Sequence, residues 1–182
     1  VTDPDFNARG LAVADFDGNG LTDIVLGTWN GFNSIFMQKT PGEFTNLPPA
    51  FFGEPRNIRS IIVADFDNDG DMDIIVGSNG SVATRYFKNN LDTTNDVEEP
   101  FTNVTAGSGW ELNTSTNRDY IAYDFDNDGW VDVMGPSGKI MFNTGDGNFS
   151  LVNYNNGISV GAIGDLNGDG FLDFLNNNIV RY

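Results

Sequence analysis

Four phrases carry most of the chemistry this sequence can perform: DFDGNGLTD at Asp15–Asp23, DFDNDGDMD at Asp65–Asp73, DFDNDGWVD at Asp124–Asp132 and DLNGDGFLD at Asp165–Asp173. Each reads D-x-[DN]-x-[DN]-G-x-x-D. A hard divalent cation collects roughly six to eight oxygens, from carboxylates and a main-chain carbonyl wrapped round it by a tight turn. Positions one, three and five supply side-chain oxygens, the glycine at six permits the turn, position seven supplies its carbonyl and the aspartate at nine closes the shell. The expected ligands are Asp15, Asp17, Asn19, the Leu21 carbonyl and Asp23 in loop one, and Asp65, Asp67, Asp69, the Asp71 carbonyl and Asp73 in loop two. Loop three offers Asp124, Asp126, Asp128, the Trp130 carbonyl and Asp132; loop four offers Asp165, Asn167, Asp169, the Phe171 carbonyl and Asp173. Calcium is the natural occupant, at about four sites. An EF-hand would carry a glutamate at position twelve, where this chain has Leu26, Val76, Gly135 or Asn176, so that reading fails. The plainer alternative is a set of acidic surface turns without metal.

The side-chain ligand positions of the loops hold three, four, four and three aspartates, in a chain of 26 acids against nine Lys and Arg and a net charge of −17. Such knots of like charge oppose folding until cations neutralise them, so calcium is expected to be part of the fold. Loops two and three, with one more carboxylate each, are expected to bind more tightly than one and four.

The loops need elements to hold them, and those elements repeat as well. Before each loop lies a short apolar run, Leu11–Ala14, Ile61–Ala64, Tyr120–Tyr123 or Val160–Ile163, too brief and β-rich for a helix. After it comes another, Ile24–Gly27, Ile74–Gly77, Val133–Gly135 or Phe174–Leu175. A third segment follows at Ser34–Lys39, Thr84–Lys88, Lys139–Asn143 or Asn178–Tyr182, and a fourth begins near Phe44, Phe101 or Phe149. The clearest turn between them is Thr144–Gly147. Four strands per unit at blade-length spacing, with 22 glycines, predict an all-β propeller of four blades with the acidic loops between the first and second strands. A β-sandwich with coincidental loops is the competing reading. The chain reads as one domain, residues 1–182, with repeats at about 7–56, 57–116, 117–156 and 157–182.

The phrase VADFDNDGDMDIIVG, together with FNTGDGNF after the third loop, resembles the FG-GAP/VCBS repeat of integrin α-subunit propellers and of many secreted proteins. The resemblance covers nearly the whole chain as four repeats. It implies a β-propeller whose first inter-strand loops hold calcium, and a role in adhesion, carbohydrate binding or assembly. Family members commonly have seven blades, and four repeats leave the closure of a ring open. Residues 1–6 are expected to complete the last blade, in the same molecule or in a neighbour. In the neighbour, the strand Val1–Asp5 would build a filament. Opening at Val1, the chain is expected to be a processed or excised piece.

Charge and composition exclude other classes. So acidic a chain repels phosphate, so no nucleic-acid partner is expected, and no apolar run reaches the ~18 residues of a membrane span. Without cysteine or histidine there is no thiol nucleophile and no imidazole base. The aspartates are committed to metal and the five glutamates, Glu43, Glu54, Glu98, Glu99 and Glu111, show no repeat-breaking pair, so catalysis is not expected. The long polar insertion Asn89–Thr116 is the expected binding loop. Trp29 and Trp110, in connections, are candidates for stacking on a sugar ring, whereas the Trp130 ring is expected to shield an ion. Sequons at Asn79, Asn103, Asn113 and Asn148 are candidate glycosylation sites. The sequence-based reading is an extracellular calcium-stabilised module that binds a glycan or protein. Its runner-up is a glycosylated filament subunit.

Overall fold

Short β-branched runs bracketed by glycine-rich turns cannot sustain a helix, and each becomes an antiparallel strand. The computed structural model describes residues 7–29, 31, 33–47, 57–78, 84–90, 100–112, 120–135, 138–153, 162–169, 172–176 and 179–181. Sheet one is β1 (Ala8–Ala14), β2 (Asp23–Thr28), β3 (Ser34–Thr40) and β4 (Glu43–Asn46). Sheet two is β5 (Ile58–Ala64), β6 (Asp73–Ser78), β7 (Arg85–Asn89) and β8 (Phe101–Asn103). Sheet three is β9 (Ile121–Tyr123), β10 (Asp132–Gly135), β11 (Lys139–Asn143) and β12 (Phe149–Asn153). Sheet four is β13 (Ala162–Gly164), β14 (Asp173–Asn176) and β15 (Ile179–Arg181). Strands adjacent in the chain are adjacent in every sheet. The all-β expectation holds, and each acidic loop joins a sheet's first strand to its second. Among the described residues helical structure is confined to 3-10 turns, at Trp110–Leu112 and at Gly138.

Register is the same in each sheet. Ala14 pairs with Asp23, Ala64 with Asp73, Tyr123 with Asp132 and Gly164 with Asp173, so every loop is closed at its base by an aspartate that is also the first residue of a strand. β1 and β5 start three residues before the apolar runs that announced them. In both, the register shifts near the start, between Ala8 and Gly10 and between Ile58 and Ser60.

Alternation of side chains along the strands builds two cores between stacked sheets. Sheets one and two enclose Phe16, Val25, Ile35, Met37, Ile58, Ile61, Ile74, Val76, Phe87 and Phe101. Sheets two and three enclose Phe66, Ile75, Tyr86, Trp110, Tyr120, Val133, Met141 and Phe149. Thus β6 is buried along its whole length, Ile74 and Val76 facing one core and Ile75 the other. Sheets one and two approach closely at Gly27, where a β-carbon would lie 2.4 Å from Ile58 Cγ2.

The outer face of sheet one differs. Leu11 and Val13 are 63% and 54% exposed, although the residues at the same places in β5, Ile61 and Val63, pack into the first core. Phe44 is likewise exposed where Phe101 is buried. The face is apolar because its pattern is that of sheet two, and it is open because no sheet among the described residues lies on it.

Candidate metal centres

Each loop is tied by its own aspartates. In loops one, two and three, Oδ1 of the first aspartate accepts from the position-five N–H at 3.1 Å and Oδ2 accepts from the position-six N–H at 2.7, 3.0 and 2.9 Å, respectively. The position-five oxygen accepts from the position-seven N–H: Asn19 from Leu21, Asp69 from Asp71 and Asp128 from Trp130. Position four takes a left-handed conformation, as Gly18, Asn68, Asn127 and Gly168. Asparagine is the non-glycine residue that tolerates this best, so the G/N choice at position four is a sequence signal that spacing alone did not expose.

These bonds draw the carboxylates together. One oxygen each of Asp15, Asp17 and Asp23 lies within 4.8 Å of the others, as do those of Asp65, Asp67 and Asp69 and those of Asp124, Asp126 and Asp128. In loop four, Asp165 accepts from Gly168 and Asp169, and Asn167 Nδ2 donates to Asp169 Oδ2 at 2.9 Å. No such three-carboxylate group occurs there among the described residues, and Phe171 lies outside them.

Position nine has a second task. Asp23, Asp73, Asp132 and Asp173 are buried, and Oδ2 of each accepts from the position-two N–H, of Phe16, Phe66, Phe125 and Leu166. In loops one to three, Oδ1 accepts from the third strand, at Gln38, Asn89 and Asn143. The third-strand amide then reaches the position-eight carbonyl: Gln38 to Thr22, Asn89 to Met72 and Asn143 to Val131. Asn89 and Asn143 also donate to the preceding loop, at Phe16 O and Phe66 O, and Asn68 Nδ2 reaches Gly129 O. The first three loops therefore stand side by side on one rim.

Burial governs the electrostatics. Desolvation raises the Asp23 pKa above the carboxylate norm, against hydrogen bonds from Phe16 and Gln38 that lower it. The same cause lifts Asp73 to about 7 and Asp132 to about 6. Tyr86, whose hydroxyl donates to Asp73 Oδ2 at 3.0 Å, is also raised by burial. Asp67 is buried as well; its Oδ1 has no hydrogen-bond partner and its Oδ2 is paired with Lys88. In loop one Lys39 pairs with Asp17 at 2.8 Å. An orphaned, buried carboxylate oxygen within an all-oxygen donor set fits a hard divalent cation. If calcium binds, Asp65, Asp67 and Asp69 would hold it in loop two, and its charge would offset the repulsion that the loop concentrates.

The aromatic candidates are placed differently from expectation. Trp110 is fully buried, with ring centroids 5.3 Å from Phe149 and 6.0 Å from Tyr120, so it is core and not a sugar platform. The reason is local: Phe149 N donates to Ser108 O at 2.6 Å, folding the insertion onto sheet three. Gly109 sits at φ +81°, where a β-carbon would lie 1.9 Å from Phe149 O. Part of the expected binding loop is thus β8 and a core turn; residues 91–99 and 113–119 lie outside the described residues. Trp29 is half-buried under the Arg59 guanidinium, 4.4 Å from its ring centre, with Arg9 at 5.8 Å. Neither arginine was singled out by the sequence reading. The Trp130 ring lies against the Thr144–Gly147 turn, 3.6 Å from the position a Gly145 β-carbon would take.

Asn103 and Asn148 are exposed, Asn103 Oδ1 accepting from Thr105 N and Oγ1 within its own sequon. Asn79, Asn113 and the strand Val1–Asp5 fall outside the described residues.

Residues 15–76, which hold the first two acidic loops and the strands between them, match the FG-GAP-like repeat. A stretch of 38 residues is 47% identical to Cartilage acidic protein 1 of Mus musculus and of Homo sapiens, covering 21% of this chain and 6% of each relative. The chain thus spans a small part of those proteins. A crystal structure of the rhamnogalacturonan lyase YesW aligns over 96% of this chain and 40% of its own, at 18% identity and a TM-score of 0.44. No helix among the described residues is long and apolar enough to cross a membrane.

Proposed function

We propose that this chain is a calcium-stabilised, non-catalytic binding module of propeller type, acting outside cells on a glycan or protein ligand. The observation that carries the reading is the threefold gathering of loop carboxylates, with a buried Asp67 oxygen left for a cation. Weak, multiple oxygen sites suit extracellular calcium, which is on the order of millimolar. Calorimetric unfolding in calcium and again after chelation tests it: a transition that moves down sharply supports the reading, and one indifferent to chelation removes it. A glycan array run in calcium then addresses the ligand.

Self-association into a fibre is the second reading, favoured by the open apolar face of sheet one around Leu11 and Val13. Light scattering in calcium separates the two, since a monomer near the chain mass of 19.8 kDa supports the binding module and a concentration-dependent polymer supports the fibre.

A further inference from the structure

We propose that Lys88 is a built-in counterion of loop two that weakens its calcium binding, so that loop three fills first. The inference rests on the calcium reading given above and concerns what distinguishes loops with the same set of side-chain ligand aspartates. Loops two and three carry aspartates at the same four side-chain ligand positions, loop two adding Asp71 at position seven, where the carbonyl is the expected ligand, so ligand count alone ranks them together. Their surroundings differ. Lys88 lies on β7 next to Asn89, the residue that caps Asp73, and its ammonium is seated on Asp67 Oδ2. The Asp67 side chain is only 2% exposed, its Oδ1 has no hydrogen-bond partner, and one of its oxygens lies within 4.8 Å of carboxylate oxygens of Asp65 and Asp69.

On β11 the corresponding residue, preceding the Asn143 cap, is Phe142. Among the described residues no Lys or Arg pairs with Asp126. Loop one has a looser version of the device, since Lys39 is 51% exposed and its pair with Asp17 is screened by solvent. A cation entering loop two must share the Asp67 carboxylate with an ammonium already in place, whose like charge opposes it, whereas among the described residues no ion pair holds Asp126 of loop three. Lys88 also lines a cavity of about 330 Å³ with Tyr86, Ser108, Asp146 and Asn148, room into which its ammonium can swing when a cation arrives.

The test is a calcium chloride titration of the full chain followed site by site, using the position-six amides of Gly70 and Gly129, which donate to Asp65 and Asp124. In the wild type the Gly129 resonance is expected to move at about tenfold lower calcium than that of Gly70, a factor equivalent to ~1.4 kcal/mol. Lys88→Met keeps the aliphatic stem, and should bring the Gly70 midpoint down to that of Gly129. Phe142→Lys should raise the Gly129 midpoint about tenfold, a gain of the device that does not depend on how Lys88→Met folds. If both resonances titrate but Lys88→Met leaves the Gly70 midpoint in place, or Phe142→Lys leaves that of Gly129, the counterion role is overturned and the calcium reading stands. If neither resonance responds to calcium, the calcium reading itself fails and the counterion role with it.

Discussion

Aspartates at positions three and nine of the same loop have unlike environments, and their substitutions should behave unlike one another. Asp73 accepts from Phe66 N, Asn89 N and the Tyr86 hydroxyl, so an amide in its place would set a donor against a donor. Asp73→Asn is expected to cost roughly 2–4 kcal/mol in urea unfolding, a deficit that persists in saturating calcium. Asp126→Asn removes a member of the loop-three cluster, and its deficit should be small in chelator and grow as calcium is raised, levelling off once both proteins are saturated, by mass action. The tryptophans divide in the same way. Trp110→Ala opens a void between sheets two and three and should cost about 3–5 kcal/mol, while Trp29→Ala, losing a guanidinium stack at the surface, should cost about 1 kcal/mol. The acidic spacing was legible in the sequence because a tight turn is a local object. The burial of Trp110 was not, because it depends on which sheet folds onto which, and the Ser108–Phe149 contact joins residues far apart in the chain.

Strands of the same fold sit in very different surroundings. β6 is buried on both faces, and β4 is exposed at all four residues. Hydrogen exchange should therefore find the amides of Asp73–Ser78 the slowest in the chain and those of Glu43–Asn46 near the fastest, by several orders of magnitude. Strand existence and order were legible from short apolar runs recurring around the loops. What the runs did not reveal was the third-strand cap. Gln38, Asn89 and Asn143 look like ordinary polar strand ends, and their role emerges only when each backbone N–H meets the position-nine carboxylate. The early start of β1 and β5 was also hidden, since Ala8–Gly10 and Ile58–Ser60 mix polar and small residues on a strand that bends there.

The whole molecule carries a net charge of −17, much of it in the four loops. In chelator the thermal midpoint is expected to fall by ten degrees or more on the order set by several carboxylates left uncompensated, and to recover partly in about 1 M salt, which shortens the reach of their repulsion. Scanning calorimetry across salt concentrations checks this; a midpoint that ignores salt would argue against charge repulsion as the cause. At the same scale, Leu11→Glu places a charge on the open face of sheet one without touching a core. Any self-association through that face should disappear in light scattering, with the unfolding transition unchanged.

Because Asn68, Asn89 and Asn143 stitch the first three loops into one rim, the molecule has an electrical front and back. Before cations load, that rim gives it a large dipole moment, and a positively charged bead, electrode or polycation would meet it rim-first in one preferred orientation. Loading divalent ions would quench the dipole and let the molecule tumble onto such a surface by any side.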